Sequence, residues 1–240
     1  MKNEEEKKLA TEMHHEFQLE RVILFSDAVF AIAITLMVIE LLFPEVKKGE
    51  TSEELWQSMR PMIFNFGAFI VSFFFIGMFW YRHLKLCGLL KDYNVTFIVL
   101  NLMFLFFIVL FPFSVSTMLH LSPGWTAVPS AIYFGNVFFA SVSHYILYYY
   151  LLGKGAGISK PVSAEERAYI LNYSFRPIIL ISLLGACLLL SLTVFKNNPE
   201  ILIGMYAVIG VAAFIYRRKS KERYKKLKEN LTVEQQEEIP

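Results

Sequence analysis

An all-α membrane protein is the fold class this sequence predicts, and three observations carry the prediction. Hydrophobic residues make up 55% of the 240 and charged residues only 18%, a balance that soluble domains seldom show. The apolar residues fall in blocks long enough for a helix of about 20 residues to cross a hydrocarbon core of roughly 30 Å. Lys and Arg gather on alternate connections between the blocks, as cytoplasmic flanks do.

Six spans follow. The first runs from about Val22 to Phe43 and the second from about Met62 to Tyr81, closing on the aromatic pair Trp80 and Tyr81. The third covers about Val95 to Leu119 and contains Pro112. The fourth, about Ala127 to Leu152, is more polar because Asn136, Ser141, Ser143 and His144 interrupt it, and Gly153, Gly155 and Gly157 follow. The fifth is about Pro177 to Phe195, and after the turn Lys196-Asn197-Asn198-Pro199 the sixth runs from about Ile201 to Tyr216. This divides the chain into a cytoplasmic amino-terminal segment (1–21), a six-helix transmembrane domain (22–216) and a basic cytoplasmic tail (217–240).

Orientation is set by the cations. The amino-terminal segment, the loops after spans two and four and the tail hold nineteen of the 23 Lys and Arg. Lys47, Lys48, Arg60 and Lys196 stand on the other side. Both termini are therefore expected in the cytoplasm of a multi-pass protein of the inner (plasma) membrane, which an even number of spans also requires.

Several function classes drop out. The first apolar block begins after about twenty polar residues and lacks a small-residue cleavage site, so a retained helix is expected in place of a signal peptide. Cys87 and Cys187 imply no disulfide framework. No phosphate-binding loop, nucleophile elbow or His-Glu-x-x-His helix occurs, so no enzyme and no cofactor are expected. His14 and His15 are adjacent and diverge by about 100° on a helix, which makes them poor joint metal ligands. His120 is expected near the outer surface and His144 in a hydrogen-bonded packing role. The basic tail beside a membrane is a lipid-facing feature and predicts no nucleic-acid partner.

Arg21 to Glu40, RVILFSDAVFAIAITLMVIE, is the most informative stretch, because Asp27 sits in a span otherwise fit for hydrocarbon. An intramembrane carboxylate costs a few kcal/mol or more without a partner or water. At 100° per residue, Phe25, Ala28, Ile32, Thr35, Leu36 and Ile39 share a face about 100° wide, whereas Asp27, Ala31, Ile34 and Val38 fall roughly opposite. If the first face lines an axis, Asp27 points into the protein, with His83 and Arg21 as candidate partners. Helix geometry is met equally by a pore and by a packed bundle in which Asp27 is a hydrogen-bonded fold determinant. Glu40 lies about 80° from Ile32 and reads as an interfacial, snorkelling carboxylate.

Arg21, then Phe25-Ser26-Asp27, then an apolar helix rich in Ile and Leu, resembles the signature of bacterial members of the transmembrane protein 175 family of potassium channels. Trp80 and His83 closing span two, and Asn101, Pro112 and Phe113 in span three, extend the resemblance; the last three spans match only in character. The resemblance implies a homotetramer with one six-helix repeat per subunit and four copies of the first helix around the path of K+ and other monovalent cations. It also implies a pore constriction at Ile32, Thr35 and Ile39, and an inter-helix network of Arg21, Ser26, Asp27, Trp80 and His83. Family members lack the Thr-Val-Gly-Tyr-Gly filter, as does this chain, so K+ is expected to pass transiently near Thr35 with no tightly bound metal. A secondary transporter remains the alternative, favoured weakly by Pro112 and the polar fourth span.

Overall fold

The computed structural model describes residues 2–41, 49, 51–120, 127–153, 157–173, 175, 176, 180 and 185. They form five helices: α1 (Lys2–Ile39), α2 (Ser52–Gly88), α3 (Val95–Val109), α4 (Phe111–His120) and α5 (Ala127–Leu152), with a further helical run over 164–173. The expected spans five and six and the basic tail lie outside the described residues, apart from residues 180 and 185.

Three stretches are long and apolar enough to cross a membrane: Glu16–Ile39, Phe69–Gly88 and Val95–Thr117. The third joins α3 to α4 across Leu110, whose N–H still donates to the Phe106 carbonyl. Pro112 sits in the first turn of α4, where a missing N–H is tolerated, so it inflects the span without ending it. At 26 residues α5 is about 39 Å long, enough to span, but its interrupting polar residues leave it outside that apolar set.

Both α1 and α2 exceed the spans expected of them. α1 is one continuous helix of 38 residues, about 57 Å, which a hydrocarbon core of roughly 30 Å cannot contain. α2 begins ten residues before the expected start, at a signal legible in the sequence as Thr51-Ser52-Glu53-Glu54. The Thr51 hydroxyl accepts from the Glu54 N–H at 3.4 Å, and the Glu54 carboxylate accepts from the Thr51 N–H at 2.8 Å. The backbone bond, followed by that of the Thr51 hydroxyl, holds the Glu54 carboxyl below its usual range.

Two apolar clusters stack along the bundle. One joins Phe30, Ala33 and Met37 of α1 to Ile76 and Phe79 of α2, Phe104 and Ile108 of α3, and Val137 of α5. The other joins Leu86 and Leu90 to Phe97, Leu147, Leu151 and Ile158, with Val22 and Ile23 of α1 packed against it. It lies where the connection after α2 meets the connection after α5. There Lys91 and Asp92 N–H groups share the Ile158 carbonyl, Lys160 N–H donates to Leu89, and the Lys160 ammonium reaches the Gly88 carbonyl at the end of α2. These two cation-bearing loops therefore sit at one end of the molecule, which two intervening spans demand.

Candidate functional site: an exposed apolar face on the first helix

The membrane-crossing half of α1 has a buried face at spacings of four, three and four: Ser26, Phe30, Ala33 and Met37. Away from it run Arg21, Phe25, Ala28, Ile32, Thr35 and Ile39, all exposed, and Leu36 beside them is exposed too. Ile32 is 57% exposed and Ile39 68%, in a helix whose buried face is almost fully covered. The spacing of four, three, four, three, four repeats every seven residues, the period at which parallel helices keep one seam facing a common axis. No charged side chain interrupts this face between Arg21 and Ile39. Glu40 at its far end is half-buried.

Thr35 is the polar position on that face. Its hydroxyl lies 3.0 Å from the Ala31 carbonyl and 2.9 Å from that of Ile32, both of which accept from it. A hydroxyl that gives its proton to its own helix presents oxygen lone pairs outward, the polarity suited to a cation.

The inter-helix contacts differ from the expected network. Asp27 is half-buried on a flank about 120° from the exposed face and not opposite it, because the buried face takes that place. Ala31 and Val38, grouped with Asp27 by angle, are exposed. The Asp27 carboxylate accepts from Trp80 Nε1 at 2.9 Å; neither His83 nor Arg21 is its hydrogen-bond partner. Arg21 is exposed and donates to Gln18 of its own helix at 3.4 Å. Ser26 is buried and donates to the Val22 carbonyl of its own helix at 3.1 Å.

His83 is 1% exposed, and neither ring nitrogen has a hydrogen-bond partner. It acts through ring packing, with Phe104 at 5.4 Å, Phe30 at 5.8 Å and His144 at 6.0 Å between centroids. His144 likewise packs on Phe104 at 4.5 Å and Tyr148 at 5.1 Å, and its Nε2 lacks a hydrogen-bond partner. Among the described residues no group of His, Cys, Asp and Glu could hold a metal ion.

One tie was missed. Asn101 of α3 donates through Nδ2 to the Ser26 hydroxyl at 2.9 Å, and both residues are buried. The signal was an amide in the middle of an apolar span, which must find a partner there. Trp80→Phe removes the donor to Asp27 while keeping the ring's bulk. A hydrogen bond to a charged group contributes roughly 1.5–3 kcal/mol, so the variant is expected to lower the Tm of the detergent-solubilised protein by about 3–12 °C. An unchanged Tm would mean the bond contributes nothing.

Residues 21–112, from Arg21 through α1, α2 and α3 into α4, match the family model described as endosomal/lysosomal potassium channel TMEM175. Over these residues the chain resembles the TMEM175 family. The matched region contains the whole exposed face together with Trp80, His83 and Asn101. A protein of Chryseobacterium sp. (strain P1-3) named as a potassium channel is 29% identical over 209 residues, covering 86% of this chain and 96% of the relative. A second potassium channel, from Marivirga tractuosa, is 44% identical over 66 residues, 28% of this chain and 23% of that one. The crystal structure of a lysosomal potassium-selective channel TMEM175 homolog from Chamaesiphon minutus matches with a TM-score of 0.62 and 24% identity, over 85% of this chain and 98% of that one. A variant of the potassium channel MtTMEM175 matches with a TM-score of 0.55 and 18% identity, over 84% and 93%. Both structures share the TMEM175 fold with this all-helical chain.

Proposed function

We propose that this chain is a TMEM175-family member and a potassium-permeable channel of the bacterial inner membrane. It is a homotetramer of six-helix subunits with both termini in the cytoplasm, and α1 of each subunit lines the central path. The observation that carries the reading is the uncharged, heptad-spaced face of α1, left uncovered by its own subunit. An exposed apolar seam of this kind is covered by lipid or by other copies of itself, and its seven-residue period favours copies.

In this reading Ile32 forms the constriction. Four Ile32 side chains offer no ligand to replace a cation's water, so the closed pore blocks by sterics and dewetting. Conduction requires the ring to widen. One turn outward, four Thr35 hydroxyl oxygens face a partly hydrated K+ with their lone pairs, and Ile39 forms a further apolar layer. The Asp27–Trp80 and Ser26–Asn101 hydrogen bonds fix the rotation of α1, which decides whether these residues meet the axis.

Thr35→Val keeps the shape and removes the oxygen. The ratio of K+ to Na+ permeability, measured from bi-ionic reversal potentials in planar bilayers, is expected to fall toward one. An unchanged ratio would remove Thr35 from selectivity. The channel reading itself is tested in proteoliposomes, where flux is expected to follow an imposed potassium gradient without a coupled ion.

A further inference from the structure

We propose that the cluster of cations and tyrosines where the last turns of α2 meet the helical run 164–173 seats the phosphate of an anionic phospholipid. This rests on the reading above in one respect, that α2 spans the membrane and brings its Gly88 end to headgroup level. On α2, the Lys85 ammonium lies 4.5 Å from the centre of the Tyr81 ring, one turn earlier on the same face. Three residues before Lys85, the Arg82 guanidinium, 5% exposed, lies 5.6 Å from the Tyr173 ring. Tyr173 in turn stacks on Tyr169 at 6.2 Å and 21°. Two cations are thus bracketed by three tyrosines contributed by two separate elements.

The chemistry selects an anion held at an interface. Lys85 is exposed, and the ionisable groups acting on it are Tyr81, Tyr169 and Tyr173, with no carboxylate among them. Stacking against the Tyr81 face orients the Lys85 ammonium without neutralising it, which leaves its charge for a ligand. The Tyr81 and Tyr173 hydroxyls add donors suited to phosphate oxygens. Tyr81 is 51% exposed and Tyr173 44%, apolar rings with polar tips of the kind that settle among lipid headgroups. Basic pockets between helices on the cytoplasmic side bind anionic headgroups in the same way. The carboxylates nearest in sequence, Glu165 and Glu166, stand at the start of the 164–173 run, one turn before Tyr169, and are exposed.

Native mass spectrometry of the full-length protein, titrated with phosphatidylglycerol, phosphatidylcholine or inorganic phosphate, reads the site directly. The expected result is tighter retention of phosphatidylglycerol than of phosphatidylcholine, with no stable phosphate adduct. Lys85→Gln is expected to weaken phosphatidylglycerol about fivefold, Lys85→Arg to restore it, and Lys91→Gln on the neighbouring loop to leave it unchanged. Equal weakening by Lys91→Gln would reduce the effect to diffuse surface charge and overturn the site. Retention of inorganic phosphate without lipid would overturn it as well, assigning the cluster to a soluble anion. The readout is independent of ion flux, so a protein that binds the lipid but does not conduct would overturn the channel reading alone.

Discussion

Ile32→Asn is expected to raise potassium flux through the reconstituted protein by at least about tenfold. In the proposed tetramer, four asparagine amides at the level of Ile32 would hydrate the proposed constriction, where the wild-type residue is a β-branched hydrocarbon 57% exposed. A barrier lowered by ~1.4 kcal/mol gives that factor, and replacing four apolar side chains with amides acts on every face of the ring at once. The measurement is initial tracer uptake into vesicles loaded against a potassium gradient, normalised to correctly assembled protein. Unchanged uptake would remove Ile32 from the barrier, because Ile32 is exposed and its substitution leaves the subunit core intact.

Phe104→Ala is expected to cost about 3–5 kcal/mol of subunit stability. Phe104 is fully buried and is the ring through which four helices meet. Its centroid lies 5.9 Å from Phe30 of α1, 6.0 Å from Phe79 and 5.4 Å from His83 of α2, and 4.5 Å from His144 of α5. Truncation leaves a cavity beside three ring nitrogens that already lack hydrogen-bond partners, so collapse onto the gap is poorly compensated. In size-exclusion thermal denaturation this appears as loss of the assembled peak at a much lower temperature. Phe113→Ala, at an exposed ring of α4, is expected to change it little.

How much of this was legible in the sequence depended on the kind of signal. Period and composition located the three apolar spans and the helix α5 after them, since a stripe of Ile and Leu at helical spacing has one good structural solution in a membrane. The face Phe25, Ala28, Ile32, Thr35, Leu36 and Ile39 was readable as a set, because exposure along a straight helix is pure angular arithmetic. The partner of Asp27 was not readable that way. A helix has room for a flank between its exposed and buried faces, and which neighbour meets the flank depends on how α2 crosses α1. That crossing brings Trp80 to Asp27 and turns His83 inward among phenylalanines. Asn101 carried its own warning as an amide in hydrocarbon, yet its partner Ser26 could be named only once α1 and α3 were packed together. The longer α2 was legible and overlooked, because the capping box at Thr51 lies in a polar stretch where hydropathy gives no signal.

The central claim is that the exposed face of α1 meets the ion. Cysteine placed at Ala28, on that face, and at Ile34, half-buried away from it, separates a pore-lining helix from a packed one. The decisive measurement is current through each variant in a planar bilayer before and after a cationic, water-soluble thiol reagent. Loss of current from Ala28→Cys with Ile34→Cys unaffected is the expected result. Full labelling at Ala28→Cys with the current unchanged would contradict it.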